Sequence, residues 1–106
     1  MLQIKPGVRI LGLRPELSVG LQIVYSLYPQ AWWPLVITSC TEGTHSPASL
    51  HYSGSALDFR RHSSTIPDEI ARTSFLLPAQ TALGQDFDFL LEATHYHLEY
   101  QPKAPY

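Results

Sequence analysis

Four of the five histidines in this 106-residue chain (His45, His51, His95 and His97) fall in two polar stretches, "THSPASLHYSGSALDFR" and "EATHYHLEY". Each stretch sets histidine beside carboxylate: His51 with Asp58, and His95 and His97 with Glu92 and Glu99. A lone histidine is ordinarily a core or surface residue. Two segments that each pair histidine with carboxylate point instead to proton transfer or metal ligation near neutral pH. His95 and His97 are two apart, so on a strand they share a face, and Glu99 continues the row. His51 and Asp58 are seven apart and would face opposite ways on a regular strand. They converge only if the chain bends between them, and Gly54, between Ser53 and Ser55, is placed to allow the bend. His51 and Asp58 then form half a site, which one histidine of "HYH" completes. Two neutral imidazoles and one carboxylate suit one zinc ion and leave a fourth position for water.

The single cysteine, Cys40, excludes a disulfide framework and a thiolate cluster. Structural zinc sites are usually closed by four ligands, often cysteines, so the donor set here favours an open, catalytic site. Zinc brings the pKa of its water to about 7. A nearby carboxylate then takes up the proton, and Glu92 and Glu99 are the candidates. Cys40 itself reads as a small buried residue at a strand end.

The surrounding elements must bring these residues together. "RPELSVGLQIVYSLYPQ" carries Leu17, Leu21, Val24 and Leu27 at helical spacing, and Pro29 stops it. "PLVITS" reads as a buried strand and "SALDFR" as a second one, with the polar loop "CTEGTHSPAS" between them. "TIPDEIARTSFLLPAQTALG" begins as a helix, with Thr65 as a cap and Pro67 in its first turn; Pro78 must kink or divide it. "FDFLLE" and "HYHLEY" read as two strands joined by a turn near Ala93 and Thr94. The pattern predicts one α+β domain over residues 1–106, a small antiparallel sheet with helices packed on one face.

Composition narrows the partners. A hydrophobic share of 44% supports one core, and a net charge of −2 offers no basic surface for nucleic acid. No stretch is long enough to span a membrane, and "MLQIKPGVRI" lacks the apolar run of a signal peptide. The expectation is a monomer made in the cytoplasm. "AWWP", with Trp32 and Trp33 ahead of a buried strand, reads as core packing, and His62 as a solvated loop residue.

"SLHYSGSALDFR" resembles the S-x-H-x-x-G-x-A-x-D motif of zinc D,D-peptidases and related peptidoglycan peptidases, with Ser49, His51, Gly54, Ala56 and Asp58 at the matching positions. That group includes D-alanyl-D-alanine carboxypeptidases, phage L-alanyl-D-glutamate endolysins and murein endopeptidases, and the motif also occurs in the signalling domain of hedgehog proteins. "EATHYH" is similar to the family's second motif in both of its forms, H-x-H and E-x-x-H. The resemblance implies a hedgehog/D,D-peptidase-like zinc fold and a zinc metallopeptidase that hydrolyses an amide bond in peptidoglycan stem peptides or cross-links. It implies His51, Asp58 and His97 as ligands of one zinc ion, with His95 beside the substrate as a transition-state stabiliser and Glu92 as the general base. A strict E-x-x-H reading makes His95 the ligand instead. Ser49, His45, placed as in the hedgehog-like members, and Arg60, a clamp for a substrate carboxylate, complete the substrate side. Action on the cell wall follows, by phage-mediated release if the origin is a phage. The alternative is a non-catalytic zinc-bearing binding module or a structural piece of a phage particle. The identity of the cleaved bond stays open between D-Ala-D-Ala, L-Ala-D-Glu and a cross-bridge.

Overall fold

In "ALDFR" and "HYHLEY" every second residue is bulky and apolar, and strand geometry sends those residues to one side of a sheet. The computed structural model describes residues 1–41 and 54–102. Among them, five strands, β1 (Leu2–Ile4), β2 (Leu35–Ser39), β3 (Ala56–Arg60), β4 (Phe87–Leu91) and β5 (His95–Tyr100), form one sheet in the order β1-β2-β3-β5-β4. All neighbours are antiparallel except β1, which runs parallel to β2 and makes the sheet mixed. Sequence periodicity does not show β1, because one apolar–polar–apolar step over three exposed residues is too short a run to mark a strand.

Leu57 and Phe59 of β3, Phe89 of β4 and Tyr96 and Leu98 of β5 are buried together. Helix α1 (Pro15–Leu27) and a second helical run cover this side through a shared hydrophobic core. α1 buries Leu17, Gly20 and Val24 and lies against β5. Phe75 is the hub of the aromatic layer, with ring centroids 5.0 Å from Tyr28, 5.5 Å from Phe89 and 5.1 Å from Tyr96, all nearly edge-on. Trp32 joins this layer at 5.8 Å from Tyr28, as core packing requires. Trp33 does not: it is 43% exposed and stacks on Tyr25 at the surface.

The second helical run consists of α2 (Asp68–Ala71), a π turn (Arg72–Leu76) and α3 (Leu77–Leu83). Pro78 neither stops the run nor divides it. A proline cannot donate to the carbonyl four residues back, and its ring crowds that carbonyl. The π turn widens the helix just ahead of it, with the Leu77 N–H bonded to the Arg72 carbonyl five residues back. Thr65 is not the N-cap. It closes a turn onto the His62 carbonyl, and the helix starts after Pro67 with Asp68 and Glu69 in its first turn.

Two local irregularities position the opposite side of the sheet. The β2–β3 register pairs Ile37 with Phe59 but Ser39 with Asp58, so β2 bulges beside Asp58. Gly54 has φ +74°, the left-handed conformation that suits glycine, and a Cβ there would lie 2.0 Å from the Gly12 carbonyl oxygen. Its own carbonyl accepts from Arg14 N–H at 3.0 Å, tying the approach to β3 to the start of α1. Among the described residues no helix is long and apolar enough to cross a membrane.

Candidate metal centre

The side of the sheet away from the helices carries the residues that alternate with the core. Asp58 lies directly across from His97, Arg60 across from His95, and Ala56 across from Glu99. This register brings the two motifs together, since β3 and β5 are adjacent in space and nearly forty residues apart in the chain. His97 is held between two carboxylates. Its Nδ1 is 2.6 Å from Asp58 Oδ1 and its Nε2 is 2.8 Å from Glu99 Oε1. Ionised carboxylates only accept, so with both occupied the ring carries a proton on each nitrogen. The hydrogen bond to Asp58 is the chief cause that raises the His97 pKa to about 9; burial opposes it, and the charges of Asp58 and Glu99 add to the rise.

His95 sits one step along the row. Its Nε2 lies 3.3 Å from Glu92 Oε2 and 3.7 Å from Asp58 Oδ1, and its Nδ1 is 3.0 Å from Thr94 Oγ1. The contact with Thr94 orients the ring and leaves Nε2 directed at the carboxylates. Glu92 belongs to the turn after β4, whose backbone is closed by the Glu92 N–H bonded to the His95 carbonyl at 2.9 Å. A regular strand would turn Glu92 away from the His97 row. The turn allows it to reach in.

Asp58, His95 and His97 thus form a candidate metal-binding triad, with one ligand atom from each all within 4.8 Å of one another. The donor set fits a divalent cation. Ligand atoms around tetrahedral zinc lie about 3.3 Å apart, given bonds of about 2.0–2.2 Å. The separations of 2.6 and 3.7 Å from Asp58 Oδ1 straddle that value. A cation between Asp58 and His97 would take the place of the Nδ1 proton, and Glu99 would remain on Nε2 as the carboxylate that orients a ligating imidazole. Asp58 and His97 are mostly buried (side chains 15% and 16% exposed), while Glu92 is 45% exposed, so the site opens on the Glu92 side.

Ser49, His45 and His51 lie outside the described residues. Arg60 is exposed and on the same side as Asp58, beside His95. Four further residues contribute outside the motifs. Asp88 pairs with Glu99 across β4 and β5, and the Gln101 amide, turned with its nitrogen toward them, would bridge the two carboxylates at 2.9 and 3.1 Å. Thr94 orients His95. Arg61 is buried, with Nη1 donating to the Glu92 carbonyl at 2.8 Å and Nη2 paired with Asp68 Oδ1. The signal for Asp88 was present in the alternation of "FDFLL"; Arg61, next to Arg60, reads in the sequence as part of a substrate-carboxylate clamp or a solvated strand end, and its burial against Glu92 and Asp68 fits neither. His62 is partly buried and lines a surface groove of about 390 Å³ together with Trp32, Trp33 and Ile66.

No family model, no curated protein and no solved structure matches this chain.

Proposed function

We propose that this protein is a zinc-dependent peptidase that hydrolyses an amide bond in the stem peptides or cross-links of peptidoglycan, as a D,D-carboxypeptidase or an endolysin-type endopeptidase. The observation that carries the reading is the convergence of Asp58, His95 and His97 on one side of the sheet, with the Glu92 carboxylate 3.3 Å from His95. The two-part motif resemblance supports it, since both motifs contribute to that cluster, and it adds His51 as a ligand beside Asp58 and His97. One bound zinc ion would supply a Lewis acid that makes water a nucleophile at neutral pH. Glu92, on the open side of the cluster, accepts the water's proton and returns it to the leaving amine. His95, its ring held through Thr94, faces the developing negative charge on the cleaved amide. Glu99 holds the far nitrogen of His97 and keeps that ring in place. Arg60 offers a guanidinium to a substrate carboxylate beside His95. Ser49 and His45 stand on the substrate side by the same resemblance.

The test is mass spectrometry of muropeptides after digestion of purified walls of several chemotypes, with zinc content measured in the same preparation. Loss of terminal D-alanine identifies a carboxypeptidase, and cleaved stems or cross-links identify an endopeptidase. A fully zinc-loaded protein that releases no product from any wall overturns the peptidase reading and leaves a zinc-bearing binding module.

A further inference from the structure

Glu92 is the most exposed member of the site, and a side chain 45% exposed is not held in place by packing. Its backbone, in contrast, is tied at both ends. The N–H bonds to the His95 carbonyl at 2.9 Å, and the carbonyl accepts Arg61 Nη1 at 2.8 Å. The Arg61 side chain is only 5% exposed. A guanidinium that deeply buried is costly unless its charge and its donors are matched. Its other terminal nitrogen meets Asp68 Oδ1, and Asp68 is the first residue of α2, where the helix dipole favours a carboxylate. The planar fork therefore spans from the start of the helical layer to the turn that carries Glu92, with one nitrogen on each. Arg60, the neighbouring residue, is exposed on the other side of the sheet, so the two arginines have separate tasks.

We infer that Arg61 is a positioning residue for Glu92: held by Asp68, it fixes the turn between β4 and β5 and thereby the distance from the Glu92 carboxylate to His95 and the metal centre. This rests on the peptidase reading for the role of Glu92, but the anchoring of the turn does not. Lysine at this position keeps the charge and loses the fork, so it cannot hold both partners at once.

Two measurements on the full chain test the inference. In the first, amide hydrogen exchange by NMR, Arg61→Lys speeds exchange of the Glu92 N–H by at least about tenfold, as expected when a local opening becomes easier, while the core amide of Leu98 stays as in the wild type. Asp68→Asn, at an exposed position that leaves Arg61 in place, gives a smaller effect of the same kind and serves if Arg61→Lys folds poorly. In the second, wall hydrolysis, Arg61→Lys lowers kcat about tenfold or more with KM within about twofold, and adds nothing in a Glu92→Gln background, because the two residues act through one carboxylate. Unchanged Glu92 exchange in both variants overturns the anchoring. Arg61→Lys and Glu92→Gln effects that multiply overturn the positioning role. A wild-type protein that cleaves nothing removes the peptidase reading, and the exchange comparison still decides whether Arg61 holds the turn.

Discussion

The two sides of one sheet are built from the same strands and obey different physics. Toward the helices, Leu57, Phe59, Phe89, Tyr96 and Leu98 are buried and packed around Phe75, where the energetics come from apolar area and close contact. On the other side, Asp58, His95, His97 and Glu99 alternate with those residues and are held by short polar contacts. The comparison teaches that the core side sets the register and the polar side inherits it. A slip of one residue between β3 and β5 would move the core residues toward solvent, so packing forbids it. The same constraint keeps Asp58 across from His97 without any need for a metal to hold it there.

Breaking the core side should have the largest effect. Phe75→Ala removes the aromatic hub and is expected to cost about 3–5 kcal/mol, a large share of the stability of a domain this size, read by chemical denaturation. Asp58→Asn, on the polar side, should leave the denaturation midpoint of the metal-free protein near that of the wild type when measured above about pH 9, where the His97 proton no longer contributes. A collapse of the fold by Asp58→Asn would show that the polar side carries the register too.

Next in size is the effect on chemistry. Glu92→Gln keeps the shape and removes the proton-accepting charge. It should fold and bind zinc as the wild type does, yet release new amino groups from purified wall at least about a hundredfold more slowly. Near wild-type release would remove Glu92 from the mechanism and shift the role to His95 or Glu99.

A finer comparison lies within the polar row itself. One zinc ion per chain is expected, His97→Ala should bring bound metal close to zero, and His95→Ala should keep the stoichiometry with affinity about 10–100-fold weaker, both read by metal analysis and competition titration. Loss of zinc by His95→Ala with retention by His97→Ala would reverse the assignment of the third ligand. Loss by both would make Asp58, His95 and His97 the working set.

The last comparison is one of pH dependence. In metal-free protein His97 titrates at about 9, above the 6.5 of an unfolded histidine, chiefly through its hydrogen bond to Asp58. The folded state binds the proton more tightly, so this contribution is fully present below about pH 6.5 and is lost as pH rises through about 9. The melting temperature should therefore fall between these values in the wild type. In His97→Gln this fall should be absent. Equal slopes in the two proteins would mean that the Asp58–His97 pair contributes nothing measurable to stability.

Much of this was legible in local pattern. The helical spacing of Leu17 and Val24, the β-branched run of β2, and the alternation of β3 and β5 each follow from side-chain period, and all are found where periodicity puts them. Others were not. β1 has three exposed residues and too little pattern to register. Pro78 predicts a kink or a division of the helix, but a proline specifies only that one hydrogen bond is lost, and the π turn around Phe75 is one way to accommodate it without dividing the run. Gly54 predicts a bend, and it does take positive φ. That the Gly12 carbonyl also presses against it depends on a loop more than forty residues away, which no local pattern reports.

The sequence by itself determined which residues could do chemistry and which side of a strand each would take, because residue type and a period of two are properties of the chain alone. It placed His95, His97 and Glu99 in one row. Only the tertiary structure decided that β3 lies beside β5, that Asp58 therefore meets His97 at 2.6 Å, and that Glu92 reaches His95 from a turn. It also decided that Arg61 turns inward while Arg60 stays in solvent. Strand order and the burial of a charge depend on what the rest of the chain brings alongside. The cost of burying a guanidinium is offset only where two partners from distant segments meet it, and that meeting is a property of the fold.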